Sequence, residues 1–206
     1  YVYSFGKCLF MPADLTAGLE YNRDNLKDDM WGYNRYTKQT VNIGSAFLQN
    51  EWKNEKWSIL LGGRLDKHNL IDHVIFSPRA NLRFNPSEDI NLRLSYSSGF
   101  RAPQAFDEDL HIENVGGTVS MIERAKNLKE EKSQSFSASA DMYHRFGAFQ
   151  VNFLVEGFYT RLSDVFVLEN IGERDGILIK ERRNGSGAKV LGLSMEGKMA
   201  YLSLFQ

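Results

Sequence analysis

The sequence predicts an all-β fold, an antiparallel transmembrane β-barrel of which the chain forms a part. Three observations predict it. Apolar and polar residues alternate with period two, the charges within these stretches fall on one face, and short connections alternate with long polar ones.

The alternation is taken strand by strand. From Trp57 to Asp66, Trp57, Ile59, Leu61, Gly63 and Leu65 share a face, and Ser58, Leu60, Gly62, Arg64 and Asp66 take the other. From Val74 to Phe84, Val74, Phe76, Pro78, Ala80, Leu82 and Phe84 oppose Ser77, Arg79, Asn81 and Arg83. Ile90, Leu92, Leu94 and Tyr96 alternate with Asn91, Arg93, Ser95 and Ser97. Phe136, Ala138, Ala140 and Met142 alternate with Ser135, Ser137, Ser139 and Asp141. Phe149, Val151, Phe153, Val155, Gly157 and Tyr159 oppose Gln150, Asn152, Glu156 and Thr160, and Leu191, Leu193, Met195 and Met199 oppose Ser194, Glu196 and Lys198. No charge interrupts the apolar face of these strands, as expected where a lipid-facing Arg or Lys at the midplane costs about 2–4 kcal/mol. A soluble sandwich also keeps one face free of charge, but its strands run about 5–6 residues. Here the alternation holds for about 10, the length that a tilted strand needs to cross a bilayer.

Short turns are expected at Met11–Asp14, Lys53–Lys56, Asn85–Glu88 and Arg145–Ala148, and long polar loops over Arg23–Lys38, Gly99–Glu131 and Leu162–Gly187, with a shorter connection at Lys67–Asp72. That alternation matches periplasmic turns and extracellular loops. Trp52, Trp57, Phe84, Phe146 and Phe149 lie beside the turns, and Tyr96, Phe100 and Tyr159 near the opposite ends, as two interfacial girdles would. Two stretches fit poorly. Pro78 lies inside a strand and lacks a ladder donor, which predicts a bulge or local break, and Val41–Trp52 changes phase near Phe47–Leu48, leaving its facing open.

The count is about eight strands plus partial strands at the ends, somewhat over a third of a barrel of 22 strands. The chain opens at Tyr1–Val2–Tyr3 and closes at Phe205–Gln206 as if inside strands, so a fragment of one barrel domain is expected. A net charge of −1 gives no electrostatic case for nucleic acid. The lone Cys8 cannot form an internal disulfide. No Gly-rich phosphate loop, zinc spacing or Ser-His-Asp set points to an enzyme.

Ser77 to Glu108, SPRANLRFNPSEDINLRLSYSSGFRAPQAFDE, resembles the late-barrel signature of TonB-dependent outer-membrane receptors, with its Gly-Phe-Arg-Ala-Pro motif at Gly99–Pro103. Asn127–Ser133 resembles the family's Asn-Leu-Lys-Pro-Glu-Lys-Ser segment, with Glu130 where Pro is usual, and Gly18–Gln39 is similar to a segment of Bacteroidetes members. The likeness is closer to siderophore, haem and cobalamin receptors than to glycan importers. It implies TonB-energised uptake of a bulky metal chelate through a barrel integral to the outer membrane. The implied partners are outer-membrane lipid, an upstream plug domain, the TonB complex reached through that plug, and the chelate itself. A passive porin-like barrel and a TonB-dependent glycan importer are the alternatives.

Candidate sites lie in the loops. The resemblance places Arg101 at the lumen rim, as a ligand or plug contact; the alternative is a structural partner of Asp107, Glu108 or Asp109. His111 lies between the two motifs, where haem receptors of the family carry an axial His; haem would be a transported ligand, and no cofactor is required. Trp31 and Tyr33, with Tyr36, offer aromatic contact to a ligand or pack their own loop. Asp24, Asp28 and Asp29 supply oxygen ligands suited to a loop calcium, although an ordinary solvated acidic loop has the same composition.

Overall fold

The computed structural model describes residues 1–33, 35–105, 107–110, 113–115 and 118–201. In chain order the strands are β1 (Val2–Cys8), β2 (Met11–Met30), β3 (Arg35–Lys53), β4 (Trp57–His68), β5 (Val74–Ser87), β6 (Ile90–Arg101), β7 (Glu113–Val115), β8 (Thr118–Arg124), β9 (Glu131–Phe146), β10 (Phe149–Ser163), β11 (Phe166–Arg174), β12 (Ile177–Asn184) and β13 (Ala188–Tyr201), with a short helix α1 (Asp107–Leu110) before β7. Nine of them form one antiparallel meander, β1-β2-β3-β4-β5-β6-β9-β10-β13, and β11-β12-β8-β7 form a second sheet. No described helix is long and apolar enough to cross a membrane.

Register places the predicted faces side by side across the meander. Leu61 pairs with Ala80, which pairs with Tyr96, and Leu94 with Ala138, which pairs with Gly157 and through it Leu193. This face is uncovered: Leu19, Leu191, Leu193 and Phe76 are 87%, 76%, 65% and 61% exposed. A soluble sheet buries its apolar face, and exposed apolar patches of this extent mark a lipid or partner surface. The opposite face carries Ser95, Ser137 and Ser139, with Arg64 bonded to Glu20, Asp66 and Ser45. The apolar side therefore faces lipid and the polar side faces the lumen.

Two aromatic rows bound the lipid face. At the short turns Phe10 stacks on Trp52, Trp57 on Phe84, and Phe149 packs near Tyr201. Ten or eleven residues along the chain from Phe10, Phe146 and Phe149 at those turns stand Tyr21, Phe136 and Tyr159. That is about 33 Å of strand at ~3.3 Å per residue, or about 23 Å at a tilt near 45°, close to the apolar band of an outer-membrane barrel.

The prolines sit where a ladder is already broken. Pro78 is opposite Gly63 with no bulge, but the β5–β6 ladder stops at Arg79–Ser97, so the local break falls on the β6 side. Register shifts in β1–β2 between Phe5 and Cys8, and in β5–β6 between Phe84 and Ser87, accommodate Pro12 and Pro86. The first turn is not at Met11–Asp14, as the Pro-Asp composition suggested, but at Leu9–Phe10. Leu9 takes φ 62°, and the Trp52 indole N–H donates to the Cys8 carbonyl.

Phe47 and Leu48 also find their faces. Leu48 continues the lipid face opposite Ala17 and Gly63, whereas Phe47 points to the lumen and lies over Gly18. A Cβ at Gly18 would meet the Phe47 ring at 2.5 Å. The change of phase is thus a lumenal aromatic covering a cross-strand glycine.

Candidate functional site

The strands rise above the upper aromatic row unequally. β2 and β3 stay paired as far as Met30–Arg35, so the expected loop Arg23–Lys38 is instead a raised hairpin closed at its tip by a 3₁₀ turn, Trp31–Tyr33. Both faces of this hairpin are polar because both are wet above the membrane, which hides its period in the sequence.

The other two long connections are not irregular either. Residues between β6 and β9 supply α1, β7 and β8, and residues between β10 and β13 supply β11 and β12. β11 and β12 form a hairpin closed by Asp175–Gly176, both at positive φ as a two-residue turn requires. That dipeptide between Val167–Leu168 and Ile177–Leu178–Ile179 was the available sign of these strands, which the reading of a polar loop passed over. β12 then pairs in parallel with β8, from Ile177–Val119 to Arg182–Arg124, so two connections far apart in sequence share one sheet. Ile122 and Ile179 are its buried apolar centre.

This cap is closed by an ion pair between its two connections and is tied to the lumenal side of the raised hairpin by Arg35 and Gln39. The Arg182 guanidinium donates through Nε and a terminal nitrogen to Asp109 at 3.0 and 2.7 Å, with both side chains only 4% exposed. Arg35 donates to the carbonyls of Asp109 and Ile122, and Gln39 accepts from the Ala105 amide at 2.8 Å. At the rim, Glu130 bridges His73 and Lys132 at 3.0 Å each, spanning the opening where β5 and β6 part. Burial pushes the Glu130 carboxyl up, but a bond from its own backbone amide and the charges of Lys132 and His73 outweigh that and hold it below the ordinary glutamate value. Its place in the Asn-Leu-Lys segment, where Pro is usual, thus becomes an ionic staple.

The lumen wall beneath the cap carries a basic run. Arg83 lies directly opposite Arg93, and Arg79 opposite Ser97. Among the described residues none of these three arginines is ion-paired with a carboxylate. Like charges directly opposite are destabilising, so this surface is suited to an anionic occupant.

The candidate residues are scattered over this region. Trp31 is 88% exposed at the hairpin tip. Tyr33 ends the same turn, its side chain outside the described residues. Tyr36 is also exposed, with the Lys27 ammonium 6.0 Å from its ring centre. Asp24 and Asp28 share the lumenal side of β2, about 13 Å apart at ~3.3 Å per residue, and Asp29 faces the other way. The three do not converge, and among the described residues no group of three His, Cys, Asp or Glu side chains is placed to hold a metal. Arg101 packs its guanidinium 5.6 Å from the Phe166 ring centre. Of its expected partners, Asp109 is held by Arg182, and the Asp107 and Glu108 side chains lie outside the described residues. Phe100 and Ala102 of the same motif pack with Ile71 and Ile75, anchoring the start of the loop. His111 lies outside the described residues.

Residues 2–205 match the family described as TonB dependent receptor-like, beta-barrel. No curated protein sequence matches the chain. Among solved structures, the siderophore receptor PirA from Pseudomonas aeruginosa aligns at TM-score 0.76 and 19% identity, over 94% of this chain and 37% of that one. A variant of the ferric enterobactin receptor PfeA from the same organism, in complex with enterobactin, aligns at TM-score 0.71 and 18% identity, over 93% and 32%. The hemophore receptor HasR from Serratia marcescens, in complex with its hemophore HasA and heme, aligns at TM-score 0.71 and 13% identity, over 97% and 38%. The chain thus spans about a third of the length of these structures.

Proposed function

The chain belongs to the TonB dependent receptor-like β-barrel family of the bacterial outer membrane, and from that premise we propose that it forms part of the wall and outer cap of a receptor that imports a bulky metal chelate. Siderophore, haem and cobalamin complexes are the ligand classes in view. The folded cap carries this reading. Two connections joined by the β8–β12 pairing and the Arg182–Asp109 ion pair, and docked to a raised hairpin through Arg35 and Gln39, present a large preorganised surface to the outside. Such a surface serves recognition; a diffusion pore gains little from it.

Energy from TonB would reach the barrel through a plug domain. The lumenal Arg79, Arg83 and Arg93 favour an anionic surface beside them, either an acidic face of that plug or the chelate in passage. Trp31, Tyr33, Arg101 and His111 remain the candidate ligand contacts, and Asp24, Asp28 and Asp29 the candidate loop calcium ligands. A cation held by the aspartates would have to draw further oxygen atoms from ligand or loop, because their own register separates them.

Growth of a deletion strain on single nutrient sources tests the proposal. Growth should fail on one ferric siderophore, haem or cobalamin and persist on the others, with recovery from a plasmid copy. Loss confined to polysaccharide growth would overturn the metal-chelate assignment.

A further inference from the structure

The wall has a seam. β4 stays paired with β5 up to Lys67–Val74, and β6 with β9 up to Arg101–Glu131, but the β5–β6 ladder stops at Arg79–Ser97. Above that rung residues 74–78 and 98–101 face each other without a ladder. The fork lies beside Tyr96, whose ring packs against Phe136 of the upper aromatic row. Backbone polar groups are not left open within hydrocarbon, so the parting begins where the apolar band ends. Pro78, at the fork, has no amide hydrogen to extend the ladder, and the Ser98 hydroxyl reaches its carbonyl at 3.5 Å. Between the parted edges lies a cavity of about 350 Å³. Val74, Phe76 and Tyr96 line it from the lipid side, and Ser77, Gly99 and Ser133 from the lumenal side.

The connection between β4 and β5 closes over this cavity. Ile71 and Ile75 are buried with Ala102, and Phe100 packs against them. His68, at the end of β4, has no exposed surface. Its Nδ1 accepts from the Leu70 amide at 3.0 Å, so the neutral ring carries its proton on Nε2. Nε2 is turned towards the Gln104 side chain but lacks a hydrogen bond of good geometry. The closed arrangement thus keeps a buried donor unsatisfied, a cost that water relieves on opening. A second proton would have to sit on Nδ1, displacing the Leu70 amide and placing a charge where no water reaches. The surrounding charges are already committed. Asp66, two residues below on the same face, is taken up by Arg64 and Ser45. The Lys67 ammonium is held by the Ile71 and Asp72 carbonyls, and apolar Ile43 stands opposite on β3. Asp72 is exposed. His73 at the rim responds in the opposite sense, since a proton strengthens its pair with Glu130 beside Lys132, but at 57% exposure that pair is screened by water.

We propose that this seam is a gated slot in the outer wall, shut while His68 is neutral and opened when His68 takes a proton. Its two ends are fixed, by the Arg79–Ser97 rung below and by the bond from the Ala105 amide to Gln39 above. Between them the connection carrying Ile71 lifts off Phe100 and Ala102, and the cavity joins the lumen to the water outside. The shut slot holds the neutral ring, and the open one hydrates the charged ring. Shutting is therefore strongest above the ordinary imidazole range and is lost as the pH falls.

The test uses the complete protein in neutral detergent, with Cys8→Ser and nitroxide labels at Asp72→Cys and Lys126→Cys, one on each side of the seam. A second pair, at Glu55→Cys and Glu88→Cys, reports the short-turn end. Between about pH 8 and about pH 5, a span that covers the titration of an ordinary imidazole, the label-to-label distance across the seam should lengthen reversibly. The expected shift is about 5 Å, one strand spacing. The distance at the short turns should stay fixed. His68→Gln, which cannot take the proton, should abolish the change, whether it leaves the slot shut or open. An unchanged distance across the seam, or the same change in His68→Gln, would overturn the gate. Movement of both pairs together would mean a general loosening of the barrel and would overturn it equally.

Discussion

Leu94→Arg should destabilise the barrel by about 2–4 kcal/mol, whereas Ser95→Arg, one residue on, should change it by no more than about 0.5 kcal/mol. Leu94 is 54% exposed on the lipid face, with Leu82 and Ala138 as its register partners. It stands near the middle of the span between the two aromatic rows. An arginine there must leave water for hydrocarbon or drag water into the bilayer. Ser95 faces the lumen between Asn81 and Ser137, where a guanidinium stays hydrated. Denaturant titration of the complete protein folded into lipid vesicles measures both. Equal effects at the two positions would mean that no lipid faces the apolar side.

Arg182→Ala should part the two connections of the cap at a local cost of about 3–5 kcal/mol, because it leaves the Asp109 carboxylate buried without its guanidinium. Both side chains are only 4% exposed, so water cannot replace the lost partner without opening the structure. The barrel strands should be unaffected. Hydrogen exchange at the β8 and β12 amides should accelerate by roughly two to four orders of magnitude, at about 1.4 kcal/mol per tenfold, while β4 to β6 exchange as before. Replacing both members, Arg182→Met with Asp109→Leu, should restore most of the protection, since an apolar pair of similar volume avoids the desolvation of both charges. Uniform acceleration across β6 and β10 would indicate that the cap and barrel unfold as one unit.

The contrast between these two sites explains what could be read from the chain alone. In β4 to β6, β9, β10 and β13 each residue answers to one of two solvents, lipid or water. The choice is written at every second position, so facing and most turns were legible. Above the membrane the same backbone meets water on both sides, and the β2–β3 hairpin past Tyr21 loses its alternation while keeping its hydrogen bonds. The β11–β12 hairpin was signalled by Asp175–Gly176 between apolar runs. Its parallel pairing with β8 had no local sign, because it joins residues such as Ile179 and Met121 that meet only after both connections fold back. Asp109 and Arg182 likewise belong to different connections, and no spacing rule links them. Phe47 left the facing of its strand open because an aromatic ring on the wet side serves Gly18 rather than the bilayer.

The most direct test of a lipid-facing wall is a cysteine scan of Leu92 to Ser97 in the complete protein, in outer membranes, with native Cys8 replaced by Ser. A small, water-soluble thiol reagent should label positions 93, 95 and 97 and spare 92, 94 and 96, repeating with period two. After extraction into detergent and unfolding, all six should label alike. Labelling of the two sets at equal rates in the intact membrane, or the opposite alternation, would contradict the account.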